Sequence, residues 1–294
     1  MSGRTKRLLA LASALMASGC ATVRETPAPV AVPASDNPPP GFQYEYGSGE
    51  AGALQMAAFH AMLAYVADKV AHRPGESVVL AEDATLATPK WVPCGDKPFA
   101  VIFDVDETLL INLGFEERAA RGEPYSPERW DAWERTGAAA VEAMPGALHG
   151  VEKLRGMKVT VVFNTNRSAR NADATIAALK AAGLGDAVHG ETLFLQGDDA
   201  MGSRKDGRRW TIAAKYCVLA MVGDQLGDFT DLYNAIPDPA LRRTATIHGP
   251  GGGKWGKGWF VLPNPVYGTA LKGSFDQVFP LDKRWAEPPK ETKH

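Results

Sequence analysis

Short apolar runs alternate with helical patterns along this chain, and that alternation limits the fold more than any other feature. FAVIF (99–103) opens the series. KVTVVF (158–163) precedes SARNADATIAALKAAG (168–183), where Ser168 can cap the helix. TLFL (192–195) precedes DGRRWTIAAKY (206–216), and VLAMV (218–222) precedes DQLGDFTDLYNA (224–235). The strands are apolar throughout, the pattern of a parallel sheet covered by helices on both faces. TATIH (244–248) and WFVLP (259–263) predict one or two further strands. Earlier, Leu54, Ala57, Ala58, Ala61, Met62, Tyr65 and Val66 recur at helical spacing and predict a helix packed on the core. Met56, His60 and Met62 read as packing residues there.

In an open α/β sheet, ligands bind outside the carboxyl ends of the strands. The first strand runs into FDVDETLL (103–110), which delivers Asp104, Asp106 and Glu107 together. The second ends in Asn164-Thr165-Asn166-Arg167. The third ends in Gln196-Gly197-Asp198, followed by Arg204, Lys205, Arg208 and Arg209. The fourth ends in Gly223-Asp224, with Asp228 a turn further on. Crowded carboxylates repel and are costly to desolvate. A hard cation removes that cost, and acids without soft ligands point to Mg2+. Metal, cation, hydrogen-bond donors and nucleophile are what phosphoryl transfer needs, and a carboxylate can be the nucleophile. Glu107 is expected beside the turn, outside the chemistry. The insert from about 109 to 144 holds Phe115, Tyr125, Trp130 and Trp133 and can form a cap beside this rim; alternatively, the two tryptophans only pack the insert on the domain.

The chain has 294 residues and a formal charge of -2, with no basic excess to suggest a nucleic acid polymer as partner. Arg4, Lys6 and Arg7 precede an apolar stretch, Leu8 to Met16, too short to span a bilayer. Ala17-Ser18-Gly19-Cys20 resembles a bacterial lipobox, with Ala17 where Leu is usual. This predicts a signal peptide over 1–19, lipidation at Cys20, and a Pro/Ala-rich tether over 20–43; alternatively, the leader is an ordinary secretory signal and Cys20 is incidental. A folded domain over 44–280 and a flexible tail over 281–294 complete the organisation. Export permits a disulfide between Cys94 and Cys217, though two separate small core residues are slightly favoured. Neither cysteine has zinc-site spacing. GGGKWGK (251–257) matches the first part of a P-loop, but Gly258 stands where Ser or Thr should hold Mg2+, so it reads as a glycine-rich loop or hairpin near the site. His189 and His248 read as structural.

FDVDETLL resembles the first motif of the haloacid dehalogenase (HAD) superfamily, Thr165 its second, and GDQLGD its fourth. The closer resemblance is to class C bacterial acid phosphatases, with DETLLIN, TNR, SRK, GDQLGDF and LPNPVYG in order over roughly 44–279. The resemblance implies a HAD-like Rossmannoid α/β sheet with a small α-helical cap after the first motif strand. It implies an outer-membrane lipoprotein, facing the periplasm or the surface, that acts on small phosphomonoesters, above all nucleotides. Self-association as a homodimer is compatible with it. By the same resemblance Asp104 is nucleophile and metal ligand, and Asp106 is acid and base with its backbone carbonyl on the metal. Thr165 and Asn166 donate to phosphoryl oxygens, and Lys205 neutralises charge. Asp224 is a metal ligand, and Asp228 holds the metal's surroundings or Lys205. Trp130 and Tyr267 stack on the substrate ring. Gln225 stands where Asn or Thr is usual, and Phe115 replaces an expected Tyr. A phosphatase or phosphotransferase for other esters, or a ligand-binding surface lipoprotein, would keep the fold; the intact set of four aspartates, Thr165 and Lys205 favours catalysis.

Overall fold

The computed structural model describes residues 37–287; the signal segment, Cys20 and most of the tether lie outside them, as do residues 288–294. The described chain enters through helices α1 (Pro40–Gly47) and α2 (Gly49–Ala71). Ser48 caps α2 by accepting from the Ala51 N–H at 3.0 Å. Helix α1 thus begins inside the stretch expected as tether. An antiparallel ribbon, β1 (Glu76–Leu80) and β2 (Trp91–Pro93), comes next, without a counterpart in the sequence reading.

Strand β3 (Phe99–Phe103) starts the main sheet. The insert follows as β4 (Leu110–Ile111), α3 (Leu113–Ala120), α4 (Pro127–Thr136) and β5 (Glu142–Ala143), with β4 and β5 paired antiparallel at its base. The alternation then resumes: α5 (Ala147–Gly156), β6 (Thr160–Ser168), α6 (Ala172–Ala181), β7 (Leu193–Gln196), α7 (Asp206–Lys215) and β8 (Cys217–Gly223). Helix α8 (Pro239–His248), β9 (Trp259–Val261) and the short α9 (Phe275–Val278) close the described chain, with a single turn, Leu281–Lys283, in the expected tail.

The five parallel strands run in the order β7-β6-β3-β8-β9. Successive side chains of β3 point to opposite faces. Val101 and Phe103 join one core with Phe59, Met62, Val161 and Phe163, while Ala100 and Ile102 join another with Val162, Ile212, Met221 and Trp259. Both faces are therefore dry, which is why the strand is apolar at every position. Helices α2 and α5 approach closely because residue 150 is glycine: a Cβ there would lie 2.8 Å from a Phe59 ring carbon. No helix among the described residues is long and apolar enough to cross a membrane.

Two expectations need correction. TATIH is not a strand but the second half of α8. Asp238 caps that helix by accepting from the Leu241 N–H at 2.9 Å, and Pro239 takes its first position. The β-branched run hid a helix whose start signal, Asp238-Pro239, lies upstream of it. Cys94 and Cys217 are not separate core residues but a disulfide, fully buried. Register brings them together: Phe99 pairs with Cys217, and the Cys217 N–H donates to the Pro98 carbonyl at 2.9 Å.

Candidate active site

The first element of the site is the tight turn after β3. The Asp104 N–H donates to the Val222 carbonyl at 2.9 Å, which fixes Asp104 against the neighbouring strand. The Val105 carbonyl then accepts from the N–H groups of Leu109 and Leu110, each at 2.9 Å. Glu107 takes the left-handed conformation within this turn, with φ of 52°. A non-glycine residue adopts it only where surroundings compensate. Here Glu107 is fully buried and accepts from the Asn112 N–H at 3.0 Å, the Asn112 side-chain amide at 3.2 Å and the Tyr267 hydroxyl at 2.6 Å. Tyr46 of α1 donates to it at 3.4 Å. Burial, and next the negative charge of Asp106, pushes Glu107 up to about 8. Glu107 is thus a buried hub beneath the site, not a bystander at its edge. Desolvation explains the difference: a carboxyl there must be fully hydrogen-bonded, and it is.

Asp104, Asp224 and Asp228 converge from the ends of β3 and β8, with one carboxylate oxygen of each within 4.8 Å of the others. Lys205, at the start of α7, sits between two of them: Nζ lies 2.5 Å from Asp104 Oδ1 and 2.7 Å from Asp228 Oδ1. Its backbone is held in turn, since the Lys205 N–H donates to Asp231 at 3.0 Å. Asp224 accepts from Gln225 Nε2 at 2.8 Å and Asn264 Nδ2 at 2.7 Å. The departure at Gln225 therefore still supplies a donor to the acid beside it. Burial, then the charge of Asp228, raises Asp224 to about 7. Burial also raises Asp104 well above the carboxylate range, against the pull of Lys205. Burial alone would lower Lys205, but Asp104 and Asp228 reverse it and hold the ammonium charged. With all three acids ionised, three carboxylates against one ammonium would carry two net negative charges on oxygen, so the buried site favours a cation that ionises them. That donor set fits a hard divalent cation in charge and chemistry.

Asp106 is handled differently. Its carboxylate lies outside the trio and pairs with Arg167, with Nη2 at 2.7 Å and Nε at 2.9 Å from Oδ1. Asn112 Nδ2 adds a third donor at 3.0 Å. Arg167 is 1% exposed. Strand β6 runs on to Ser168, so Thr165 and Arg167 share one face at a period of two while Asn166 points elsewhere. Thr165 Oγ1 reaches Asp106 Oδ2 at 3.4 Å, and Asn166 Oδ1 accepts from Arg208 Nη2 at 2.7 Å. Arg167, Asn112, Asn264 and the buried role of Glu107 are what the sequence reading missed. Period-two alternation past Thr165 is the signal that points to Arg167.

A cavity of about 880 Å3 opens over these groups, lined by Asp104, Asp106, Asn166, Lys205, Asp224 and Asp228 below and by Phe42, Phe115, Trp130 and Tyr267 on its walls. The insert thus borders the site. Trp130 packs edge-on against Phe115, ring centroids 4.9 Å apart, so packing and cavity lining coincide in one side chain. Trp133 is tied to the site floor through Nε1, which donates to Asn112 Oδ1 at 2.9 Å. The GGGKWGK stretch does not line this cavity. It forms a short turn, Pro250–Lys254, and Trp255 packs on Phe229 and Trp259 at the sheet face. His189 faces Asp198 at 2.7 Å, and His248 ends α8; neither lines the cavity.

A parallel sheet with acids at its strand ends, bordered by an insert, is an arrangement that suits phosphoryl transfer. The sequence matches the family described as HAD superfamily, subfamily IIIB (acid phosphatase), over residues 51–270, and the chain belongs to that family. Among solved structures it resembles the class C acid phosphatase from Bacillus anthracis, with a TM-score of 0.64 at 23% identity, covering 80% of this chain and 89% of that one. The class C acid phosphatase of the same organism with tungstate bound matches with a TM-score of 0.65 at 21% identity, covering 84% and 96%. At these identities the likeness is one of fold. Comparison with curated proteins gave no match.

Proposed function

We propose that this acid phosphatase is a Mg2+-dependent phosphomonoesterase of the bacterial cell envelope that hydrolyses 5'-nucleotides through an aspartyl-phosphate. The observation that carries this reading is the division of labour between two aspartates two residues apart. Asp104 joins the acid trio and Lys205, while Asp106 is drawn aside by Arg167.

In this reading Asp104 attacks phosphorus. The ester oxygen departs with the bonding pair and takes a proton from Asp106. Water then attacks the aspartyl-phosphate and gives its proton to Asp106, the phosphorus–Asp104 bond breaks, and phosphate leaves. Thr165 and Asn166 donate to the phosphoryl oxygens, and Lys205 offsets their growing charge. Held by Asp104, Asp224 and Asp228 with the backbone carbonyl of Asp106, Mg2+ would supply further charge neutralisation at the phosphoryl group.

The aromatic walls of the cavity support a planar substrate group. Trp130→Ala is expected to lower kcat/KM for a nucleoside 5'-monophosphate by about 10-fold or more, the worth of one stacked ring. Glycerol phosphate, which has no ring, should change little. Equal loss on both esters would refute nucleotide specificity and favour a phosphatase for other small esters.

The N-terminal lipobox supports the envelope assignment. Labelling cells with a tagged fatty acid should mark the full chain but not its Cys20→Ser variant. An unlabelled full chain would remove the anchor from the account.

A further inference from the structure

Asp106 is held in a lopsided way. Oδ1 accepts from Arg167 Nη2 at 2.7 Å, Arg167 Nε at 2.9 Å and Asn112 Nδ2 at 3.0 Å. Oδ2 has only two long contacts, Arg167 Nε at 3.2 Å and Thr165 Oγ1 at 3.4 Å. The donors on Oδ1 are closer and more numerous, so the Arg167 fork and Asn112 engage that oxygen more strongly than Oδ2. The donors are themselves locked. Arg167 Nη2 also donates to Asn112 Oδ1 at 3.0 Å, and Trp133 donates to that same oxygen at 2.9 Å.

We propose that Arg167 is a positioning residue that fixes the Asp106 carboxyl so that Oδ2 alone carries the proton exchanged in the reaction. This rests on the acid and base role given to Asp106 above. Oδ2 is the oxygen on the side of Thr165, the proposed phosphoryl-binding residue. In the first half-reaction, the phosphorus–oxygen bond of the ester breaks, the electron pair stays on the leaving oxygen, and the Oδ2 proton joins it. In the second, water bonds to phosphorus as the phosphorus–Asp104 bond breaks with its electron pair returning to the Asp104 carboxylate, and the water's proton returns to Oδ2. Arg167 gains and loses nothing: its guanidinium stays protonated throughout, and its planar fork holds one orientation that a lysine cannot.

The test uses leaving groups of different need. A nucleoside leaves as an alkoxide and requires a proton, whereas 4-nitrophenol leaves well without one. In Arg167→Lys, kcat/KM for a nucleoside 5'-monophosphate should fall about 100-fold, since a positioned general acid contributes about 10^2- to 10^4-fold. For 4-nitrophenyl phosphate kcat/KM should stay near wild type, since it reports only steps up to phenol release. Its kcat should fall, because water activation also needs Oδ2. Mere structural damage would lower kcat/KM for both esters alike, and that result overturns the proposal. Should Arg167→Lys not fold, Asn112→Ala decides, since it removes the third Oδ1 donor: the same selective loss supports the proposal and an unselective one overturns it. Asp106→Asn separates the two levels. If that variant shows no preference between leaving groups, the acid role of Asp106 itself fails; if it does and Arg167→Lys does not, only the assignment of Arg167 fails.

Discussion

Asp104→Asn is expected to lower turnover by about 10^4-fold or more, because the proposed aspartyl-phosphate route needs a nucleophile and an amide oxygen is a far poorer one. The fold should survive. Asp104 is buried beside Asp228 and Asp224, and its value is raised by burial and by both of those charges, despite Lys205. Without a cation, neutralising it relieves repulsion, and Lys205 keeps its contact with Asp228 at 2.7 Å. Thermal melting without Mg2+ should therefore show a midpoint equal to or above that of the wild type, the trade of stability for function typical of an active site. Phosphate release at near-wild-type rate would refute Asp104 as nucleophile. A collapsed midpoint would refute the claim that the trio is held in electrostatic tension.

The second large effect concerns stability. The Cys94–Cys217 disulfide joins residues 123 apart in sequence and encloses everything from β3 to α7. Closing so long a loop restricts the unfolded chain, and its removal is expected to cost about 3–5 kcal/mol. In a domain of this size that lowers the melting midpoint by on the order of 10 °C. The double variant Cys94→Ser/Cys217→Ser should show that shift, and reductant should reproduce it in the wild type. Activity at moderate temperature should persist, because neither cysteine lines the cavity. A midpoint unchanged after the bond is demonstrably opened would contradict the stabilising role. A disulfide also suits an oxidising compartment, in keeping with the signal segment expected at the N-terminus.

The parts legible in the sequence were those written locally. Apolar-rich runs of four to six residues gave the strands of the main sheet, because both faces of β3, β8 and the Val161–Phe163 part of β6 are dry. Strand ends in a parallel sheet share one rim, so Asp104, Thr165 and Asp224 could be gathered before any coordinate was known. Lys205 was readable only through its motif, since it sits at the start of α7 rather than on a strand. What stayed hidden depends on tertiary distance. Nothing local says that Cys94 faces Cys217, or that Glu107 turns inward to meet Tyr46 of α1 and Tyr267. TATIH misled because β-branched residues suit strands, yet a cap at Asp238 and a proline after it outweigh that preference. Arg167 stood in plain view within TNR, and its role needed only the alternation of β6 to be carried two residues further.

Asp104 and a divalent cation held by Asp104, Asp224 and Asp228 are proposed to hydrolyse phosphate esters together. Phosphate release from a nucleoside 5'-monophosphate, measured on metal-stripped protein with Mg2+ and again with excess chelator, tests it most directly. Turnover with Mg2+ and its loss with chelator, restored when Mg2+ is returned in excess, is the result predicted. Equal turnover in both, or none in either while the protein remains folded, would contradict the account.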